Sequence, residues 1–376
     1  MKNYRVGAYY FPNYHTDARN EIAHGALWSE WDLVRAATPR FPGHDQPKAP
    51  LWGFEDEADP RVMEKKINAA ADHGLNHFLF DWYWYDDGPY LNRALDEGFL
   101  GAANNERLEF ALMWANHDWW DIHPARLSGP KNLLYPGAIT RATFDTIVDV
   151  VIEKYFSHPS YLKIDGCPYF SIYELMTLMQ SLGGAQATRE ALNSFRERTK
   201  RAGFPDLHLN AVVWGVQILP TEQTIQNPQQ LLEILGFDSI ASYVWIHDVA
   251  LPDFPQTEYS YVAEKAAQKW QSLRREYSLP YHPNVTMGWD SSARTVQSDR
   301  YENIGYPFMP VLENNSPENF KLALQEVKAF LDEREDGPKI CSINAWNEWT
   351  EGSYLEPDME NEFRYLEAIR DVFGAR

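Results

Sequence analysis

Cysteine is nearly absent from this chain: 376 residues contain two, Cys167 and Cys341. Both lie in or beside apolar, strand-like runs, which favours buried free thiols over a disulfide and offers no cysteine nucleophile. Positive charge is scarce as well. Against 54 Asp and Glu stand 34 Lys and Arg, a net charge of -20. A surface of that sign repels phosphate backbones and anionic membranes, so no nucleic-acid partner is expected and neutral ligands fit better. No run of about 18 apolar residues occurs, so no membrane insertion is expected. The N-terminal "MKNYRVGAYY" enters a strand-like pattern without the apolar core of a leader. This predicts a cytoplasmic chain as given, or a secreted or periplasmic one if a leader has been removed. Also missing are a phosphate-cradling glycine loop, a G-x-S-x-G elbow and a G-x-G-x-x-G after a strand. Nucleotide-dependent transfer and serine hydrolysis therefore lack their usual signals.

What is plentiful is aromatic surface: 14% of the chain, with 14 Trp and 21 Tyr. Flat apolar faces beside carboxylates and amides suit a sugar ring, whose C–H faces stack while its hydroxyls hydrogen-bond. An aromatic-rich core is the competing explanation and accounts for at least half of these residues.

Eight short segments rich in β-formers alternate with helical patterns: "YRVGAYY" (4–10), "HFLFDWY" (77–83), "LEFALMW" (108–114), "PYFSIY" (168–173), "LHLNAVVW" (207–214), "FDSIASY" (237–243), "YHPNVTM" (281–287) and "KICSINAW" (339–346). Most are near-continuous apolar runs, as parallel strands buried on both faces require. The helices between them carry start and stop signals. Asp59 caps and Pro60 opens a helix that Gly74 stops, and Ser316-Pro317 opens another running to about Glu333. Phe144, Ile147, Val148, Val151, Ile152 and Tyr155 form one apolar helical face. This pattern predicts an α/β fold, a (β/α)8 TIM barrel, as a single domain over residues 1–376. Long loops follow the first, third and seventh strands and fall on the C-terminal face, where barrel active sites assemble.

At the end of the eighth strand stands "NAWNEWTEGSYLEPD", Asn344 to Asp358, with Glu348 and Glu351 three residues apart between tryptophans. On a helical turn, positions i and i+3 face the same way, and two adjacent carboxyls cannot both ionise easily. That supplies one acid and one base, the equipment for glycoside cleavage. Capping of the last helix by Glu351 and Glu356 is the alternative. The other strand ends offer candidate substrate contacts: Tyr10 and Tyr14 after the first, Asp81, Trp82 and Tyr83 at the second, Trp114 and Asn116 at the third. Tyr173, Trp214, Tyr243 and Trp289 come from the fourth to seventh, and Trp346 and Asn347 from the eighth. Strand alternation sends about half of such side chains toward the helices, so core packing competes with ligand contact at each.

In "PRFPGHDQPKAPLWG" (39–53), Arg40, His44, Gln46 and Lys48 stand among four prolines, reading either as a stiffened lid carrying donors or as simple surface polarity. "HDWWDIH" gathers His117, Asp118, Asp121 and His123 but matches no zinc spacing. No metal and no other cofactor is expected, and the pattern fixes no oligomeric state.

Together "GAYYFPNYH", "PRFPGHDQPKAPLWG", "FLFDWYWY", "MWANHDW" and "NAWNEWTEGSYLEPD" resemble the WbsX-like family, often labelled glycosyltransferases and related to glycoside hydrolase family 99. The resemblance covers nearly the whole chain, and "NEWTEG" is its sharpest element. Family 99 enzymes are barrel endo-α-mannosidases and mannanases that retain anomeric configuration. By this resemblance Glu348 is implied as the base for the sugar 2-hydroxyl, which attacks the anomeric carbon to give a 1,2-anhydro sugar. Glu351 is implied as the acid for the leaving oxygen and then the base for water. Thr350 stands where family 99 commonly has histidine. The expectation is a retaining glycoside hydrolase acting on an α-linked, mannose-like oligo- or polysaccharide. A glycosyltransferase of surface-polysaccharide (O-antigen) assembly and a non-catalytic carbohydrate-binding barrel are the alternatives.

Overall fold

The computed structural model describes residues 4–214, 227–334 and 337–374. Nine strand segments form one parallel path: β1 Tyr4–Tyr10, β2 His77–Tyr85, β3 Glu109–Trp114, β4 Cys167–Ile172, β5 His208–Val212, β6 Ser239–Ala241, β7 Tyr281–His282, β8 Asn284–Thr286 and β9 Lys339–Asn344. Their spatial order is β7-β6-β5-β4-β3-β2-β1-β9-β8. Only Pro283 separates β7 from β8. Proline has no N–H for a ladder, but its carbonyl still accepts from Ser342 N at 3.0 Å. The two segments are thus halves of one strand, the first half paired with β6 and the second with β9. The path closes into a (β/α)8 barrel. All eight segments marked in the sequence are strands.

The helices form where the signals place them. Asp59 Oδ1 accepts from Arg61 N at 2.9 Å and opens Pro60–Asp72, a cap worth about 1 kcal/mol. Ser316 Oγ likewise accepts from Asn319 N at 3.3 Å at the head of Pro317–Asp332. The apolar stripe from Phe144 to Tyr155 is wholly buried, with Arg141–Val150 continuing as a π-helical turn over Val151–Phe156. Cys341 in β9 is buried and Cys167 at the start of β4 only half-buried, so one of the two thiols expected to be buried is partly open; both are free.

Parallel strands bring every strand-to-helix loop to one end of the barrel. The first loop carries short helices Ala18–His24 and Trp31–Ala36, and the third pairs Trp119–Trp120 with Leu133–Tyr135. The seventh loop carries the turn Ser291–Arg294. Among the described residues no helix is long and apolar enough to cross a membrane.

Candidate active site

Beyond β9 the chain makes a tight hairpin. Asn347–Glu348 pairs antiparallel with Ser353–Tyr354, and a 3-10 turn, Trp349–Glu351, lies between them. Gly352 turns the chain back at φ +59°, in the left-handed region. A Cβ at this position would lie 2.7 Å from Asp290 Cβ and 3.0 Å from Asp290 N, too close for any side chain. That close approach joins the hairpin to the seventh loop, where Asp290 N donates to Glu351 O at 2.5 Å.

Glu348 and Glu351 face a cavity at the C-terminal end of the barrel, the end where barrel active sites assemble. Its wall also contains Asp81 and Tyr83 from β2, with Tyr173, Tyr243 and Trp289 from later strand ends. Phe11, Trp119, His123 and His247 complete an aromatic side.

Arg294 organises the charges, although it lies far from both glutamates in sequence and is 4% exposed. Its Nε donates to Glu30 Oε1 at 2.9 Å, its Nη1 to Tyr306 Oη at 2.6 Å and to Glu351 Oε1, and its Nη2 lies 3.4 Å from Glu348 Oε1. Tyr306 also donates to Glu351 Oε1, at 2.6 Å. Burial works against the guanidinium charge, but Glu30 and Glu351 outweigh it and hold Arg294 firmly protonated. Burial would also raise Glu30, which Arg294 instead pulls below the ordinary carboxylate range.

One cation cannot balance every carboxylate here. Burial first, and then the charge of Glu351, push Glu348 well above its usual value; burial raises Glu351 too, opposed by Arg294 and Tyr306. The two side chains face each other closely enough to hydrogen-bond. Both shifts run upward, so each carboxyl holds its proton more tightly than an isolated one, and ionising one hinders ionising the other.

With this geometry in view, the chain can be set beside known proteins. The sequence profile of the family described as Glycosyltransferase WbsX matches residues 6–369. The chain belongs to the WbsX family. An uncharacterized protein WxcX of Xanthomonas campestris pv. campestris (strain B100) is 27% identical over 367 residues, covering 97% of this chain and 49% of that protein. This WbsX chain thus spans about half the length of the curated relatives it matches. Among solved structures, a glycoside hydrolase-like protein superposes with a TM-score of 0.64 at 15% identity, covering 100% of this chain and 95% of the other. The GH99 endo-alpha-mannosidase of Bacteroides thetaiotaomicron, in complex with bis-tris-propane, gives 0.58 at 14% identity, covering 99% and 97%. At such identities the likeness is one of fold: the barrel of glycoside hydrolases.

Several residues singled out in the WbsX sequence sit away from the cavity, and strand alternation is the main reason. Tyr10 stacks on Phe80 at 4.6 Å, Trp82 packs edge-on to Tyr155, Trp114 lies against Phe144 and Trp346 against Phe78. All four belong to the layer between strands and helices. Tyr14 Oη accepts from Thr350 N at 3.2 Å, bracing the turn from behind. Asn116 ties down the backbone of Glu174, whose carboxylate caps helix Leu175–Leu182. Asn347 bonds both backbone groups of Phe11, and its amide reaches Glu57 at 2.7 Å. Trp214 packs on Tyr173 and lines a neighbouring crevice. Glu356 does not cap the last helix: it pairs with Lys66 and accepts from Trp349 Nε1 at 2.7 Å.

The proline-rich loop pairs with its neighbours. His44 Nε2 and Gln46 Nε2 lie 2.9 and 2.7 Å from Asp290 Oδ2, Arg40 bonds the carbonyls of Val296 and Asp299, and Lys48 meets Asp45. The hydrogen bond from His44 helps hold Asp290 at about 2 despite its burial. In "HDWWDIH", Asp118 accepts from Gly137 N and His123 stacks on Trp119. Among the described residues no three His, Cys, Asp or Glu side chains form a metal-binding group.

Glu30 and Tyr306 escaped the sequence reading. For Glu30 a signal was present: Trp28-Ser29-Glu30-Trp31 repeats the pattern of Trp346-Asn347-Glu348-Trp349.

Proposed function

We propose that this WbsX chain is a retaining glycoside hydrolase acting on an α-linked, mannose-like oligo- or polysaccharide through Glu348 and Glu351. The observation that carries this reading is the meeting of the two carboxyls on one aromatic-walled cavity, where burial favours the protonated form of each. The route implied by the family 99 resemblance needs one base and one acid on neighbouring atoms. Glu348 takes the proton of the sugar 2-hydroxyl as that oxygen attacks the anomeric carbon. Glu351 gives its proton to the departing glycosidic oxygen, leaving a 1,2-anhydro sugar. Water then attacks the anomeric carbon and yields its proton to Glu351, while Glu348 returns its proton to the 2-oxygen. Two inversions retain configuration.

Transfer from a sugar nucleotide is the second reading, favoured by the family's description. Against it, the described cavity wall contains no lysine and its one arginine is engaged by carboxylates. Burial holds His123 and His247 down at about 3, hence neutral. Among the described wall residues other than His117, no cation is left to meet a diphosphate. The deciding experiment measures products from a panel of α-linked bacterial and fungal polysaccharides, with wild type and Glu351→Gln, with and without chelator. Release by wild type alone, unaffected by chelator, supports hydrolysis. Silence across the panel, followed by turnover of a sugar-nucleotide donor, would replace it with transfer.

A further inference from the structure

Tyr243 Oη lies 2.9 Å from Asp81 Oδ2 and 3.2 Å from Glu348 Oε2. A phenol has one hydrogen to donate, and burial keeps Tyr243 from ionising. It can therefore satisfy only one of its two carboxyl neighbours; the other contact needs a hydrogen supplied by a carboxyl group.

The surroundings identify which carboxyl supplies it. Glu348 lies 3.4 Å from Arg294 Nη2. Asp81 is 2% exposed, makes no ion pair among the described residues, and its Oδ1 is buried without a hydrogen-bond partner. An ionised carboxylate with a bare oxygen and no cation in contact is among the costliest groups to bury, whereas a neutral acid in the same place has a hydrogen to give. The other ionisable neighbours are Tyr9, Tyr83, Glu351 and Arg294. Of these only Arg294 favours an Asp81 anion, and it is already engaged by Glu30, Glu348 and Glu351.

We propose that Asp81 is a neutral carboxylic acid whose O–H donates to Tyr243, which in turn donates to Glu348, making Asp81 a positioning residue for Glu348. The chain Asp81 to Tyr243 to Glu348 steadies the Glu348 carboxylate when it acts as base. This assignment rests on the glycoside reading for its purpose, but not for its test.

The first measurement is a carbon NMR titration of wild type labelled at the aspartate carboxyls, with the Asp81 signal identified by its loss in Asp81→Asn. It requires no turnover. Asp81 is expected to remain protonated at neutral pH; an ionised Asp81 there would overturn the proposal. The second compares two variants on whichever glycan is cleaved. An asparagine amide reproduces the N–H or O–H donor toward Tyr243, and leucine does not. Asp81→Leu is expected to lower kcat ~100-fold, the scale of a lost buried hydrogen bond at a reacting group, and Asp81→Asn only ~3-fold to 10-fold. Equal damage from both would show that a charged Asp81 is needed and would refute the chain. A protonated Asp81 in a protein that cleaves no glycan would sink the glycoside reading and still support the hydrogen-bond chain.

Discussion

Two buried cations hold the Glu348–Glu351 hairpin, and they are built differently. Arg294 touches three carboxylates beside a cavity. Lys66, from helix Pro60–Asp72, sits away from that cavity between two carboxylates, 2.5 Å from Glu57 and 2.6 Å from Glu356. Those two are tied in turn to Asn347 and Trp349 of the hairpin. Both clusters carry more acid than base. Around Arg294 the excess appears as a raised proton affinity of both glutamates beside the cavity. Around Lys66 it is absorbed by Glu57, which burial raises to about 7. The same imbalance faces the large aromatic-walled cavity in one cluster and ties down the hairpin in the other.

The comparison can be broken most directly at the cavity. Glu351→Gln should cost ~10³-fold in kcat, the range for removing a general acid–base group, with thermal stability unchanged or raised because a repelling charge is gone; a wild-type rate would remove Glu351 from the mechanism. Arg294→Met leaves Glu30, Glu348 and Glu351 without their cation. It should destabilise by about 3–5 kcal/mol, as breaking a buried pair does, and move the pH–rate profile, read by denaturant melts and by kinetics. Lys66→Met should cost a little less, about 3 kcal/mol by the same reasoning, because Glu57 can take up a proton. Its pH–rate profile should keep the wild-type shape, and a shifted profile would mean that the two clusters are coupled.

Acid should weaken the fold for a separate reason. Burial lowers His15, His77, His123 and His247 to about 3, whereas an unfolded histidine titrates near about 6.5. The unfolded chain then binds protons that the folded one refuses. Their contribution is complete above about 6.5 and is lost as pH falls toward 3. Glu57 acts in the opposite sense: its folded value is raised, so its contribution is present below about 4.5 and fades as pH rises through 7. Glu57→Gln should flatten the stability curve between those values, measured as melting temperature against pH. The smallest effect belongs to a cap remote from both cations: Asp59→Ala should cost about 1 kcal/mol and leave turnover untouched.

The barrel was legible because it is written in local terms. Apolar runs such as "HFLFDWY" mark strands buried on both faces, and Asp59-Pro60 and Ser316-Pro317 mark helix starts by side-chain chemistry within a few residues. The spacing of Glu348 and Glu351 marked the candidate site for the same reason, since a single turn brings both to one cavity. Less legible was which neighbour of an alternating pair enters the cavity. Trp82 and Tyr83 are equally aromatic, and only the register of β2 within the closed barrel sends Tyr83 inward and Trp82 to the helices. Arg294 and Glu30 were the hardest to find, because each lies on a loop and acquires its role only by meeting the other.

By itself, then, the sequence determined the strand and helix order, the closed parallel architecture and the pair of glutamates at the mouth, since periodicity, caps and short spacings act over a few residues. Only the tertiary structure decided that Arg294 lies against Glu30, Glu348 and Glu351, that Lys66 fastens the hairpin elsewhere, and that Tyr243 stands between Asp81 and Glu348. Those contacts join residues tens to hundreds of positions apart. Their protonation depends on burial and on the total charge in each buried cluster, quantities that exist only once the barrel has closed.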